Sequence, residues 1–341
     1  MKRLAVLSAA ALLVSACGAK KLTADEVRVA MPASAALRIE APTAAGSASA
    51  ATGVAAAQGD PLLTVAAASA DPYSLALTSY LLATGVNSGV FWALAPIAWL
   101  TENVPPTSCT DEACTWGPGS NAAELNDWML VVTRSGEGFD YTLSGAPKSP
   151  AGAPFVALMT GTAFPGGEAH RGHGSFHVDF DAAWAGLAHA ATDLQTDYGT
   201  LKVDYDVRTR LALDVTFVGA LNRDAPGTNL ADPNRTNAVY HFDATAAGGD
   251  LRVGWRTAEP SVGVAKGSFT LHTQWQASGA GVADARFGTP DLQAGSTIVT
   301  FSQCWAGSPY ALTYDSYPGS TLVDTAACAI APGAPVEISI P

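Results

Sequence analysis

Lysine and arginine are scarce in this chain. The 341 residues include 18 Lys and Arg against 30 Asp and Glu, which gives a formal net charge of −12, and only 14% of the residues are charged. Nucleic acids and anionic lipid surfaces are recognised by clusters of Lys and Arg. The composition therefore argues against a nucleic-acid partner and against electrostatic attraction to a membrane.

Familiar catalytic motifs are missing as well. The sequence contains no G-x-S-x-G elbow, no P-loop, no H-E-x-x-H pair and no G-x-G-x-x-G fingerprint. We therefore expect a non-enzymatic protein without a cofactor. A hydrolase-type site, assembled from Ser, His and Asp at distant positions, is the less favoured alternative.

Charge is absent altogether from Pro72 to Thr101, a stretch that follows Asp71, a candidate helix N-cap. Its aliphatic residues recur at helical spacing, at Leu75, Leu82, Val86, Val90, Leu94 and Ile97. A transmembrane helix is one interpretation, but the segment Gly85 to Gly89 and Pro96 interrupt the run. We expect instead two helices, separated by a break from Gly85 to Gly89 and buried on all sides inside the domain.

The first of the five cysteines lies directly after an apolar run near the N-terminus. Lys2 and Arg3 precede the apolar residues Leu4 to Val14, which are too few to cross a bilayer. The run closes with Val14-Ser15-Ala16-Cys17, which resembles the lipobox of bacterial lipoproteins. The resemblance implies a signal peptide at residues 1–16 and acylation of Cys17. An ordinary signal peptide with a chance cysteine is the alternative.

The same resemblance implies a location. Gly18 follows the cysteine, where Asp would direct retention in the inner membrane. We therefore expect an outer-membrane lipoprotein, on the periplasmic side or at the cell surface, whose partner is the membrane itself through the lipid anchor.

Cys109, Cys114, Cys304 and Cys328 remain after the signal peptide, and four cysteines allow three pairings. The sequence-local choice pairs Cys109 with Cys114 and Cys304 with Cys328, which suits an oxidising periplasm. A zinc site of four thiolates is the competing interpretation, although only the first pair approaches the spacing of a zinc ribbon.

Composition divides the rest of the chain into three parts. Residues 17–42 are expected to form a lipidated N-terminus with a short β-like segment at residues 25–42. Residues 43–70 are dominated by Ala, Gly, Ser and Thr, which predicts a flexible tether that holds the domain away from its anchor. Residues 71–341 are expected to form the helix plus antiparallel β domain.

Beyond the cysteine loop at residues 109–116, the apolar pattern changes from helical spacing to alternation. The ten clearest runs are 128–132, 139–143, 155–159, 176–180, 201–207, 211–217, 238–244, 251–255, 269–275 and 298–302. They predict a mainly β (α+β) fold, in which a strongly curved antiparallel meander or open barrel of about ten to eleven strands packs around the apolar helical segment. This predicted arrangement resembles the unclosed barrels with a helical lid of periplasmic lipoprotein-carrier and lipid-binding lipoproteins, a likeness of fold that does not by itself imply function.

Several short segments also resemble landmarks of a family of myxobacterial lipoproteins that has no established activity. They are Asp25-Glu26-Val27-Arg28, Val86-Asn87, Val104-Pro105-Pro106-Thr107, Trp116-Gly117-Pro118, Val178-Asp179-Phe180-Asp181 and Ser302-Gln303-Cys304-Trp305. The resemblance spans about residues 25 to 330 and implies a structural role for these residues.

His170, His173 and His177 form the most conspicuous cluster of metal-binding residue types. On a strand, His173 and His177 share a face but lie about 13 Å apart at ~3.3 Å per residue, too far for one ion. We favour surface histidines. Acidic pairs such as Asp179 and Asp181 are expected on one face of a strand, where solvation explains them.

Two functional hypotheses follow. In the first, a lipid or other apolar ligand binds between sheet and helix, against aromatic residues at Tyr80, Phe91, Trp92 and Trp99. In the second, the protein is a structural or protein-interaction lipoprotein of the envelope with a filled core.

Overall fold

A computed structural model describes most of the domain. It covers residues 21–40, 75–120, 123–190, 198–221, 235–258, 266–288, 299–306, 312–316, 320–334 and 336–341. The expected signal peptide, Cys17, the tether at residues 43–70 and the Asp71 cap lie outside the described residues.

The described residues form one antiparallel sheet of 14 strands. In chain order the strands are β1 (Ser108–Cys109), β2 (Ala113–Gly119), β3 (Asn126–Ser135), β4 (Gly138–Pro147), β5 (Val156–Phe164), β6 (His173–Asp179), β7 (Thr200–Asp206), β8 (Ala212–Leu221), β9 (Arg235–Ala244), β10 (Gly248–Ala258), β11 (Lys266–Gln276), β12 (Gly281–Gly288), β13 (Val299–Trp305) and β14 (Leu312–Asp315). Each strand pairs with the next, so the sheet is a meander, and it is open because β1 and β14 are its two edges.

The mainly β, antiparallel prediction is confirmed, and all ten predicted runs lie in or overlap strands. The expected count of ten to eleven strands is wrong, because β1, β2, β12 and β14 were not predicted. Residues 109–116 were expected to form a loop, but β2 begins within them and accommodates Gly117-Pro118 with an irregularity in its pairing with β3 between Trp116 and Gly119. β1 and β14 are too short to show alternation.

The two faces of the sheet differ sharply in polarity. On β7, Leu201, Val203 and Tyr205 are buried, whereas the alternate residues Lys202 and Asp204 face the other side. Strand pairing lines up polar residues on that outer face into a row that crosses nine strands. The row consists of Thr162, Ser175, Asp204, Asp214, His241, Arg252, His272, Asp284 and Ser302. The inner face therefore holds the core.

The apolar segment forms one helix, α2 (Leu75–Asn103), and the expected break at Gly85 to Gly89 is wrong. Gly85 is buried and Gly89 faces the ring of Phe217 on β8, so these glycines permit close packing rather than ending the helix. A glycine inside a helix costs only about 1 kcal/mol, which such packing offsets.

The first turn of α2 is fixed to the inner face of the sheet by buried polar groups. The Leu75 N–H donates to Gln303 Oε1 on β13 at 2.7 Å, and the Ser79 hydroxyl lies 2.6 Å from that of Thr273 on β11. Ala283 on β12 pairs with both Thr273 and Gln303. Its small side chain leaves room for the helix between the two polar contacts.

The expected β-like segment at residues 25–42 is wrong, because these residues begin in the helix α1 (Ala24–Ala30). The Thr23 hydroxyl accepts a hydrogen bond from the Glu26 N–H, and the Glu26 carboxylate accepts one from the Thr23 N–H, which together form a capping box. The side chain of Asn87 on α2 bonds both the N–H and the carbonyl of Ile39.

Residues 21–40 share one hydrophobic core with α2 and the sheet. The shared core includes Leu22, Val27, Met31, Leu37 and Ile39. The domain therefore starts well before residue 71, which corrects the expected boundary. Residues 41–74 connect two parts of the same core, so they do not separate the predicted anchor from the domain.

Both expected disulfides are confirmed. Cys109 and Cys114 are directly opposite each other on β1 and β2, and their sulfurs are bonded. The second disulfide joins Cys304 on β13 to Cys328, which follows a short 3-10 turn at Thr325–Ala327. The C-terminal residues are thereby fixed to the sheet.

Candidate functional site

Three large aromatic side chains of α2 point away from the sheet. Phe91 is 50% exposed, Trp92 65% and Trp99 57%, and Pro96 between the tryptophans is also exposed. Trp92, Pro96 and Trp99 follow one another at helical spacings of four and three residues, and the ring of Phe91 lies edge-on to Trp92 at 5.6 Å. We call Phe91, Trp92, Pro96 and Trp99 the aromatic face.

The expectation that Tyr80, Phe91, Trp92 and Trp99 line a cavity between sheet and helix is therefore corrected. Only Tyr80 is half-buried, and the other three side chains lie on the solvent side of α2. The bulky side chains of α2 that are buried in the core are aliphatic, among them Leu82, Val86, Val90, Leu94 and Ile97. The expectation that the helix is buried on all sides is wrong for the same reason.

The aromatic face has an unusual chemistry for a solvent-exposed helix. No Asp, Glu, Lys or Arg lies between Leu75 and Thr101, so neither a charge nor an ion pair solvates this side of α2. An indole ring combines a large apolar surface with one N–H donor, which suits the boundary between hydrocarbon and water. Large exposed apolar patches mark binding surfaces more often than single exposed residues do.

By length and composition α2 passes the test for a membrane-spanning helix, as the core helix of a water-soluble domain also does. In this fold, twelve of its residues are buried. Its first turn is also hydrogen-bonded to the sheet. We therefore interpret α2 as a core helix with one uncovered face.

A groove of about 400 Å³, lined mainly by outer-face residues, crosses β5 to β8. Its lining residues are Thr162, His173, Gly174, Ser175, Asp204, Tyr205, Asp206, Ala212 and Asp214. Each carboxylate already has a cationic or imidazole partner. Lys202 pairs with Asp204, Arg208 with Asp206, and His241 with Asp214.

The ion pair with Arg208 also sets the charge state of Asp206. Hydrogen bonds from the Arg208 side chain lower the pKa of Asp206 to about 2, against a partial opposing effect of burial. With its carboxylates paired, the groove offers mixed donors and acceptors rather than free negative charge.

The three clustered histidines do not converge. His170 occupies a left-handed turn with φ 60°, where its N–H donates to Val29 O and its Nδ1 lies 2.9 Å from Met31 O. His173, the first residue of β6, stacks on Phe164 of β5, and His177 lies four residues further along β6. Across the described ranges, no three His, Cys, Asp or Glu side chains gather into a metal-binding group.

Asp179 and Asp181 are not paired on a strand face, which corrects that expectation. Asp179 ends β6 and accepts a hydrogen bond from the Ala182 N–H, so it caps the short helix α3 (Phe180–Gly186), which includes Asp181.

A second polar cluster lies on the outer face of β10 to β13. Asp250 accepts hydrogen bonds from His272 Nε2 at 3.2 Å and from Gln274 Nε2 at 2.8 Å, and Arg252 lies beside it. Burial alone would raise the pKa of Asp250, but these bonds and the charges of His272 and Arg252 hold it at about 2. The cluster stabilises the sheet.

The neighbouring Ser302 does not form a nucleophile–base pair with His272. Its hydroxyl donates to Asp284 at 2.5 Å, whereas His272 bonds to Asp250. Within the described residues this arrangement lacks the hydrogen bond between serine and imidazole that a hydrolytic triad requires.

Two buried tyrosines were not predicted as a pair from the sequence. Tyr141 lies against Gly161 of β5, and the Tyr205 hydroxyl lies close to Gly174 of β6. Burial raises the pKa of both phenols, so each stays protonated. The glycines opposite them provide the room for each ring and were the only signal in the sequence.

No family model, curated protein or solved structure matches this chain. Functional inference therefore rests on the chain's own chemistry and geometry.

Proposed function

We propose that this protein is a lipid-anchored cell-envelope protein that is acylated at Cys17 and contacts the lipid surface through the aromatic face of α2. Its domain acts by binding and not by catalysis. The observation that carries the proposal is the exposure of Phe91, Trp92 and Trp99 on a helix without charged residues before Glu102.

The chemistry of the aromatic face favours lipid as its partner. Protein interfaces usually surround apolar residues with a polar and charged rim. Here the exposed positions along α2 before Glu102 are aromatic, proline or small, and the first charge lies at the end of the helix. Tryptophan side chains concentrate at the interface between lipid headgroups and hydrocarbon. The chain's negative charge favours zwitterionic over anionic headgroups.

The position of the predicted anchor fits the same orientation. Lys21 lies four residues after Cys17, a distance of at most about 14 Å when extended. Leu22 is fixed to the sheet by its N–H, which donates to Thr110 O. The Arg28 guanidinium at the other end of α1 donates to Thr101 O of α2, two residues beyond Trp99. An acyl chain on Cys17 would therefore attach near the C-terminal end of the aromatic face.

Anchoring itself is supported by the lipobox and by the resemblance to myxobacterial lipoproteins. Several acyl chains on one residue give firm attachment at ~0.8 kcal/mol per buried CH₂, so the aromatic face need not hold the protein on the membrane. Its role in this proposal is to orient the domain on the lipid surface. Labelling with radioactive palmitate should modify the wild type and leave Cys17→Ala unlabelled.

The orientation is tested without the acyl chain. The mature chain from Gly18, exported through an ordinary signal peptide, is mixed with phosphatidylcholine vesicles and floated on a density gradient. We expect Trp92→Ser/Trp99→Ser to reduce the floated fraction by about fivefold, because two indoles leave the interface. Val323→Ser serves as the matched control, since Val323 is exposed elsewhere. Equal flotation of all three proteins would contradict the proposal.

A second candidate function is the binding of an apolar ligand at the rim of the inner face. Phe287 of β12 is 41% exposed although its ring contacts Phe269 and Phe301 of the core, at 4.6 and 5.9 Å. Native mass spectrometry of protein purified from envelopes would reveal a bound lipid as extra mass. A bare mass with two disulfides would favour the structural or protein-interaction alternative.

A further inference from the structure

The C-terminal residues cross the outer face of the sheet, opposite the core. Cys328 is bonded to Cys304 on β13, which fixes the start of this crossing. We call residues 333, 334 and 336–341 the C-terminal strap. Its side chains alternate, because Val336, Ile338 and Ile340 are half-buried while Glu337 and Ser339 are exposed. The strap therefore has the pattern of a strand but lies across the sheet rather than at its edge.

Polar contacts hold the strap at several strands in turn. The Gly333 N–H donates to Asp284 on β12 at 3.1 Å, and Arg286 on the same strand pairs with Glu337 at 2.9 Å. At the far end, the Asn237 side chain on β9 donates to Pro341 O at 2.5 Å. The strap thus runs from β13 towards β9.

The apolar side of the strap occupies a depression at Gly254 on β10. A Cβ at this position would lie 3.1 Å from both Ile338 Cγ2 and Ile340 Cγ1. Such a distance is tighter than ordinary contact, so the missing side chain provides the space for the two isoleucines. Gly254 pairs with Val239 and Thr270 on the neighbouring strands, which form the sides of this depression.

The strap does not use every polar group at this position. The hydroxyl of Thr270, directly opposite Gly254, and Arg256 Nε, two residues along β10, are buried without a hydrogen-bond partner among the described residues. Buried donors normally find acceptors, and leaving one unpaired costs free energy. A segment with an acceptor at this point would therefore fit the surface better than the strap does.

We propose that the outer face of β9 to β12 around Gly254 is a peptide-binding surface that the C-terminal strap occupies in the resting protein. Its external partner is an extended protein segment with branched aliphatic residues at alternate positions, an acidic residue between them for Arg286, and a further acceptor for Thr270 and Arg256. This surface is independent of the lipid contact at α2 and would give the anchored protein a binding site for another envelope protein.

Because the strap is part of the chain, its effective concentration at the surface is of the order of millimolar. An external segment competes with the strap, so its apparent affinity is the intrinsic affinity multiplied by the fraction of molecules in which the surface is free. Loosening the strap should then strengthen external binding.

The test uses a fluorescein-labelled peptide with the sequence of residues 333–341 and the full mature chain. Glu337→Arg places two cations together and weakens the strap, while Arg286 stays available to the peptide. We expect about tenfold tighter peptide binding to Glu337→Arg than to wild type, measured by fluorescence anisotropy. The matched control is Glu102→Arg, the same change on α2, which should leave peptide affinity at the wild-type value.

A second change in the Glu337→Arg background fills the depression. Gly254→Val should remove at least about nine-tenths of the peptide affinity, since its side chain takes the space of Ile338 and Ile340. If circular dichroism shows that this variant does not fold, Asn237→Ala is used instead and should weaken binding about fivefold. Equal affinity for wild type and Glu337→Arg, or binding that the change at residue 254 or 237 leaves intact, would overturn the proposal.

Discussion

The two faces of α2 are alike in charge but opposite in their surroundings. Val90, Leu94 and Ile97 pack into the core, whereas Trp92 and Trp99 lie outside it on the same turns. Neither face contains a charged residue before Glu102. The difference is created by the sheet, which covers one side of the helix and leaves the other open. Hydrophobicity alone thus does not decide which side chains form the core.

The two faces of α2 should differ most in how far a new charged residue destabilises the protein. Val90→Asp should prevent folding or cost more than about 4 kcal/mol, because the carboxylate would be buried without a partner. Ser88→Asp, on a half-buried position of the same turn, should cost less than half as much. Urea unfolding followed by circular dichroism measures both, and similar losses would contradict the assignment of the two faces.

Truncating an apolar side chain should also distinguish the two faces, with a smaller loss of stability than a buried charge causes. Leu94→Ala leaves a cavity in the core and should lower the free energy of unfolding by about 3 kcal/mol. Trp92→Ala removes a larger side chain but should change it by less than about 0.5 kcal/mol, since the indole is mostly in solvent. A larger effect at Trp92 than at Leu94 would show that the helix is rotated.

Lowering the pH should destabilise the protein through Asp250 on the sheet, whereas the aromatic face of α2 carries no ionisable side chain. The pKa of Asp250 is lowered to about 2 from 3.8. Because the pKa is lowered, ionised Asp250 stabilises the folded state above about pH 4. Roughly 2 kcal/mol of this stabilisation is lost as the pH falls to about 2. Asp250→Asn should lower stability at pH 7 and remove this acid dependence, measured by urea unfolding between pH 2 and 7. Trp92→Ala, as the control, should keep the wild-type acid dependence.

The smallest expected effect concerns the first turn of α2, where the helix is hydrogen-bonded to the sheet. Thr273→Val removes the hydrogen bond to Ser79 while keeping the side-chain shape, and should cost about 1 kcal/mol. Thr216→Val, on the outer face of β8, is the matched control and should cost less than about 0.5 kcal/mol. Equal effects in thermal unfolding would mean that the polar contact does not hold α2.

Alternation predicted the strands wherever bulky residues occupy the inner face, as at Leu201, Val203 and Tyr205. It missed β12, where Gly281, Ala283 and Ala285 face inward and the small side chains give no contrast. α2 packs against β12, and the ring of Trp305 takes the space beside Gly281, so the small residues have long-range causes that the local sequence does not display. For α1, the spacing of Thr23 and Glu26 was a readable capping-box signal.

The candidate surfaces were harder to predict than the fold. A helical pattern identified Trp92 and Trp99 as members of α2, but without a charged stripe nothing marked their side as the outer one. The contact between Gly254 and Ile338 joins residues more than eighty positions apart. Neither residue carries a pattern that points to the other. Disulfide pairing was predictable because both pairs are close in sequence.

The most direct measurement is quenching of tryptophan fluorescence by brominated phosphatidylcholine in vesicles that carry the acylated protein. We expect Trp92 and Trp99 to enter the interface, so quenching should be clear in wild type and largely lost in Trp92→Phe/Trp99→Phe. Of the other tryptophans, Trp116, Trp275 and Trp305 are buried, and Trp128, Trp184 and Trp255 are half-buried on β3, α3 and β10 rather than exposed on α2. Quenching that is absent in wild type, or unchanged in the double variant, would show that the aromatic face does not contact lipid.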